Sequence, residues 1–239
     1  YTDDMPSRYT VKAYEANSYY HIYNRGVEKR VIFQEESDFV VLLSYLKTYL
    51  LPKDIPQLTA TIADASANWR DKDQANKLLR LNNFSDSIEL IAYCLMPNHY
   101  HFLIKQNTET AMDQFMNSLW TRYTMYFNKK YKRVGPLFQD VYKAVLVQTD
   151  EQLLHLTRYI HRNPIAHRRF RNPASQGDAL RSYSYSSYLD YLGLRHTEWV
   201  HPEHILSYWS SNQETSYEAF ILQIGIEEIS AKIITPVII

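Results

Sequence analysis

Hydrophobic and polar positions along the chain fall into short blocks whose periods alternate between strand and helix. Ser18 to Asn24 is rich in aromatic and β-branched residues and closes on Arg25-Gly26, which predicts a first strand and a turn. From Glu35 to Leu50, apolar residues at Phe39, Leu42, Leu43, Leu46 and Leu50 recur at helical spacing, and Pro52 marks the stop. Residues 52–87 hold prolines, alanines and charges without a strong strand, so they read as an inserted, partly helical excursion, with a turn or two over Ala75 to Leu81. Ile88 to Leu95 and Tyr100 to Lys105 predict two strands joined by a tight connection at Pro97-Asn98.

Asp113 to Lys130 then predicts an amphipathic helix through Phe115, Met116, Leu119, Tyr123, Tyr126 and Phe127, and Val141 to Val147 a further strand. A last helix starts at Asp150, capped by Thr149 or Asp150, and ends at Asn163-Pro164, because proline disfavours a helical residue before it. The order strand, helix, strand, strand, helix, strand, helix makes an α+β fold the economical solution. In it, a ferredoxin-like antiparallel sheet has helices packed on one face. Residues 1–172 form this core with its insertion. Residues 173–239 form a C-terminal extension, mostly helical, with amphipathic stretches at His204 to Trp209 and Ser216 to Ile224.

An apolar fraction of 45% in 239 residues fits a globular protein with one main domain. No apolar run approaches the length of about 18 residues expected of a membrane span, and the start Tyr1-Thr2-Asp3-Asp4 is unlike a signal peptide. The expectation is a cytoplasmic protein with no membrane partner. Cys94 is the single cysteine, which excludes an internal disulfide and a cysteine-rich zinc site. The formal charge is zero, but its distribution is uneven. Between Trp120 and Ser182, twelve basic residues face four acidic ones, Asp140, Asp150, Glu151 and Asp178, a surplus of +8 that the rest of the chain cancels. Such segregation suits a polyanion-binding face; solvated helix faces are the plainer reading.

Two places carry candidate chemistry. In Met96-Pro97-Asn98-His99-Tyr100-His101-Phe102-Leu103, His99 and His101 stand one residue apart in a β-prone run, so both point to one strand face and can present two imidazoles to one divalent ion. In Tyr159-Ile160-His161-Arg162-Asn163-Pro164, Tyr159 and Asn163 stand four apart, so a phenol and an amide share one helix face.

Together with Tyr20-His21-Ile22-Tyr23-Asn24-Arg25-Gly26, Arg122-Tyr123-Thr124-Met125-Tyr126-Phe127-Asn128 and Gly135-Pro136-Leu137-Phe138-Gln139, these blocks resemble the HUH single-strand endonucleases. Within them, the likeness is to the single-tyrosine transposases of the IS200-like kind, especially the REP-associated tyrosine transposases. It spans roughly four fifths of the chain and is broken at about residues 52–87.

The resemblance implies a metal-dependent nuclease and strand transferase acting on single-stranded or hairpin DNA. Tyr159 would be the nucleophile, and His99, His101 and Asn163 the ligands of Mg²⁺ or Mn²⁺. Many relatives carry glutamine where Asn163 stands, and a plain hydrophobic residue where Tyr100 stands. The ordinary reading of Asn163 is a helix cap before Pro164. His21 either lines the site or packs in the strand; His155 and His161 read as exposed helix residues or phosphate contacts.

The resemblance brings Asn24, Arg25, Lys29 and Arg30 near DNA. Arg122, Lys129, Lys130, Lys132 and Arg133, interleaved with Tyr123, Tyr126 and Tyr131, suit phosphate contact and base stacking. Arg158 and Arg162 would add positive potential beside the tyrosine, and Lys105 would stabilise the leaving group. The expected protein is a monomer or homodimer, associated with the nucleoid of a prokaryote. Two other readings compete: a catalytically silent binder of structured DNA or RNA on the same face, and an unrelated histidine metalloenzyme, which the basic aromatic segment disfavours.

Overall fold

A computed structural model of the protein describes residues 14–166, 173–209 and 216–223. Strands β1 (Ser18–Arg25), β2 (Ile88–Met96), β3 (His99–Gln106) and β4 (Lys143–Val147) form one antiparallel sheet in the order β2-β3-β1-β4. Helix α1 (Glu36–Leu50) follows β1, and α4 (Ala111–Lys130) joins β3 to β4. This is the expected ferredoxin-like arrangement, whose antiparallel sheet follows from the element order and whose strand order was implied by the resemblance.

Residues alternate across the sheet, and each face builds its own core. Tyr20, Ile22, Leu90, Tyr93, Tyr100, Phe102 and Ile104 pack with Leu42 and Leu46 of α1 and Phe115, Leu119 and Tyr123 of α4. On the other face, Ala92, Cys94 and Leu103 pack with Leu153, Leu156 and Ile160 of α5 (Asp150–Arg162). That second core continues through Leu180 of α6 (Pro173–Arg181), Tyr188 and Tyr191 of α7 (Tyr188–Tyr191), Ile205 of α8 (Glu203–Leu206) and Ile221 of α9 (Tyr217–Leu222). Helices α1 and α4 thus cover one face as expected, and the added finding is that α5 and the short C-terminal helices cover the opposite one. The physical reason is the sequence of β2, apolar at nearly every position from Ile88 to Met96, so that neither face of that strand is left to water.

The excursion after α1 is more regular than its sequence pattern. It forms two helices, α2 (Ile55–Ala63) and α3 (Trp69–Arg80), whose first turns are closed by the Asp54 and Asn68 side chains accepting from Gln57 N and Asp71 N. Helix α5 opens on Thr149, whose hydroxyl accepts from Gln152 N. It ends at Asn163-Pro164 as expected, but Asn163 keeps helical dihedrals despite Pro164, and the chain runs into a 3₁₀ turn, Asn163–Ile165. The buried Pro164 and Ile165 hold that turn against the sheet, and packing outweighs the local preference of a residue before proline.

The loop after β1 braces the β2–β3 turn. Gly26 N donates to Asn98 O at 2.8 Å, and Ile32 N and Phe33 N both donate to Pro97 O. Gly26 is required by closeness, since a Cβ there would stand 2.2 Å from Arg30 O. The loop therefore sets the start of β3, where His99 begins.

Candidate active site

Three segments meet on the α5 side of the sheet. Antiparallel register places Arg25 opposite His99, and Tyr23 opposite His101. The next strand over places Lys143 opposite Tyr23. His99, His101, Tyr23, Arg25 and Lys143 thus occupy one face, and α5 brings Tyr159 over it. The Tyr159 ring meets His101 edge-on at 5.2 Å between centroids and His21 at 6.1 Å.

His99 and His101 share a face as the His-x-His spacing predicts, but at different depths. His99 is half-buried, whereas His101 is 5% exposed. His99 Nε2 lies 3.0 Å from Asn163 Oδ1, and its Nδ1 lies 2.7 Å from Asn98 Oδ1. His101 Nδ1 lies 2.9 Å from Nε2 of the fully buried His21. Burial holds both His21 and His101 well below the ordinary imidazole range, His21 at about 3, so both are neutral near pH 7. Burial also raises the Tyr159 phenol above its ordinary 10, with Tyr23 pushing the same way and a bond to Asn163 opposing. The unassisted phenol is therefore a poorer nucleophile than a free one.

No group of three or more His, Cys, Asp or Glu side chains that could hold a metal is found among the described residues. The donor set on offer is two imidazoles and an amide. His99 Nε2 and Asn163 Oδ1, at hydrogen-bond distance of 3.0 Å, stand about as far apart as two neighbouring donors on one octahedral ion would, about 3 Å. Neutral imidazole is the ligating form, and a set with two nitrogens suits Mn²⁺ better than Mg²⁺, which prefers oxygen.

The basic residues divide sharply. Arg25 is exposed beside His99, with its Nε donating to Gln139 Oε1. Asn24 lies on the other face and donates to Asp140 O. Lys29 is exposed and Arg30 half-buried in the bracing loop, and Lys129 and Lys132 are exposed at the end of α4. Others make contacts within the fold. Arg158 is 2% exposed and donates to the carbonyls of Phe220 and Gln223, so it anchors α9. Arg162 donates to Ile221 O and Gln176 Oε1.

Lys130 pairs with the buried Asp38 at 2.7 Å and with Glu35. Tyr126 and Tyr131 donate their hydroxyls to the same Asp38, and the Tyr123 hydroxyl donates to Ile32 O, so these three rings serve the core rather than base stacking. The Arg122 guanidinium sits 3.8 Å from the centroid of the Tyr45 ring, and Arg133 donates to Asn128 Oδ1 and Pro136 O. Lys105 pairs with Glu89, six residues along β3 from His99 and about 20 Å away at strand rise, too far to serve a leaving group there. Arg168, Arg169 and Arg171 lie outside the described residues. His161, read as exposed, is fully buried between Tyr217 Oη and Ser187 Oγ.

Sequence reasoning left His21 undecided and passed over Tyr23 and Lys143. Alternation along β1 groups Tyr19, His21, Tyr23 and Arg25, but only strand register shows which face meets His101.

Residues 64–163 match the family model described as transposase, IS200-like, a span that contains His99, His101, Tyr159 and Asn163. Among curated proteins, no sequence matches. Among solved structures, one described as a REP-associated tyrosine transposase bound to a REP hairpin is similar at 11% identity and a TM-score of 0.42, covering 82% of this chain and 97% of the other. A candidate transposase from Deinococcus radiodurans R1 is similar at 13% identity and a TM-score of 0.33, covering 65% and 95%.

Proposed function

We propose that this chain is a metal-dependent, single-tyrosine DNA nuclease and strand transferase that acts on single-stranded or hairpin DNA. The observation that carries the reading is the convergence of His99, His101, Tyr159 and Asn163, from a strand and a helix sixty residues apart, within a segment that matches a transposase family.

Tyr159 Oη attacks the scissile phosphorus. The bond from phosphorus to the 3′ oxygen breaks, its electron pair leaves on that oxygen, which takes up a proton, and the phenolic proton passes to solvent. The product is a 5′-phosphotyrosine and a free 3′-hydroxyl, and attack by another 3′-hydroxyl reverses the step without an added energy source. His99, His101 and Asn163 would hold Mg²⁺ or Mn²⁺. When bound, the ion supplies Lewis acidity to the phosphate and to the phenol that burial has made reluctant to ionise. Arg25 and Lys143, exposed on the same face, would contact flanking phosphates.

The test is a denaturing gel of the protein with hairpin-bearing single-stranded DNA and Mn²⁺, labelled at one end or the other. The 3′-labelled strand should migrate with the protein, and the 5′-labelled fragment should be released. Tight hairpin binding with no adduct would instead make the chain a silent DNA binder and overturn the nuclease reading. An adduct on the 5′-labelled fragment would reverse the polarity.

A further inference from the structure

His21 lies outside the segment that matches the family, and the proposed chemistry does not use it. Its ring is fully buried, stacks on Tyr23 at 4.8 Å between centroids, and meets Tyr159 edge-on. One nitrogen, Nε2, lies 2.9 Å from His101 Nδ1; the other, Nδ1, is buried without a hydrogen-bond partner. Buried polar atoms are nearly always paired, so an orphan beside a candidate ligand calls for a cause.

Two proton arrangements satisfy the 2.9 Å bond. In one, His21 donates and His101 carries its own proton on Nε2, which removes the lone pair a metal would need. In the other, His101 donates from Nδ1, Nε2 is a free ligand nitrogen, and the proton on His21 sits on the orphaned Nδ1. Only the second leaves His101 competent to ligate, because its Nδ1 is already committed to His21.

We infer that His21 is a positioning residue: it accepts the Nδ1 proton of His101, and so holds that imidazole in the tautomer and orientation that offer Nε2 to a divalent ion. This deepens the proposed function and rests on it. A group that orients a metal ligand through its far nitrogen typically changes metal affinity by about ten- to a hundredfold when removed. Tyr23 stacks on the His21 ring, and the orphaned Nδ1 is the cost of having a histidine where a purely structural residue would be apolar.

The test combines nitrogen-resolved NMR of the imidazoles with Mn²⁺ titration calorimetry. In the wild-type protein saturated with Mg²⁺, His101 should show a protonated Nδ1 and an unprotonated Nε2. His21→Phe, which keeps a planar ring but has no nitrogen, should weaken Mn²⁺ binding by about tenfold or more and lose that tautomer. His21→Gln, whose amide oxygen can accept the same proton, should recover much of both. Should His21→Phe fail to fold, the wild-type spectrum and the glutamine variant still decide the matter.

A wild-type His101 protonated on Nε2 with metal bound, or Mn²⁺ affinity unchanged in a folded His21→Phe, overturns the inference. His101→Ala separates the two levels of the proposal. If it leaves Mn²⁺ binding intact, the metal site itself is wrong; if it abolishes binding while His21→Phe does not, only the role of His21 falls.

Discussion

His99 Nε2 and Asn163 Oδ1 stand 3.0 Å apart, although sixty-four residues separate them in the chain. That contact joins the start of β3 to the end of α5. It exists because the chain does not leave the helical conformation before Pro164.

If the pair is a ligand edge, removing either member should cost metal affinity more than stability. His99→Ala and Asn163→Ala should each weaken Mn²⁺ binding by about tenfold or more, with the melting temperature shifted little, because His99 is half-buried. Calorimetric titration and thermal melts of the same preparations separate the two effects. Affinity unchanged in both variants would assign Asn163 to helix capping alone.

Tyr159→Phe should abolish the covalent adduct while hairpin affinity and stability stay close to wild type, because the ring remains packed against His101 and His21 and only the hydroxyl is lost. The rate of adduct formation by the wild type should climb with pH above neutrality, since burial raises the phenol above its ordinary value and the phenolate is scarce at pH 7. Adduct yield on a single substrate from pH 6.5 to 9.5 reads this out. A phenylalanine variant that still forms the adduct would move the nucleophile elsewhere.

The basic residues at the end of α4 should separate in experiment as they do in space. Lys129→Glu with Lys132→Glu, both exposed, should weaken hairpin binding and flatten its dependence on salt without lowering stability. Lys130→Met should instead destabilise the fold by about 3 kcal/mol, because it strips the cation from the buried Asp38. Salt titrations of binding and urea melts decide between them. Equal effects of Lys129, Lys130 and Lys132 on binding would contradict the division drawn from their contacts.

Stability should fall in mild acid. His161 is held at about 3 in the folded protein, chiefly by burial, against an ordinary 6.5. The unfolded chain therefore takes up a proton that the folded chain refuses. The stabilisation is complete above pH 6.5 and is lost as pH falls towards 3, at about 1.4 kcal/mol per pH unit for one such group. His161→Gln should reduce the slope of unfolding free energy against pH between 6 and 4. An unchanged slope would show that the buried imidazole accepts a proton without unfolding.

Arg158→Ala should cost stability through α9 rather than DNA affinity, since its guanidinium is spent on the carbonyls of Phe220 and Gln223. A loss of about 2 kcal/mol in urea melts, with an unaltered salt dependence of hairpin binding, is the expected pair of results.

Short-range periodicity made the pairing of the candidate residues legible in the chain, while their roles came from the resemblance to the single-tyrosine transposases. A period of two puts His99 and His101 on one strand face, and a separation of four puts Tyr159 and Asn163 on one side of a helix; neither needs a tertiary partner. The element order likewise leads to the antiparallel, ferredoxin-like sheet. What the chain could not disclose depends on register and burial. The bulge at Leu90/Ala92 decides which face Cys94 and the rest of β2 present, and a slip of one residue would reverse them. Pairing of β1 with β3 decides that His21 and Tyr23 meet His101. Charge along the chain marked twelve basic residues alike, but only packing against Asp38 and against α9 draws Lys130 and Arg158 inward while leaving Lys129 and Lys132 in water. A cation's availability to DNA depends on its neighbours in space, which its neighbours in sequence do not reveal.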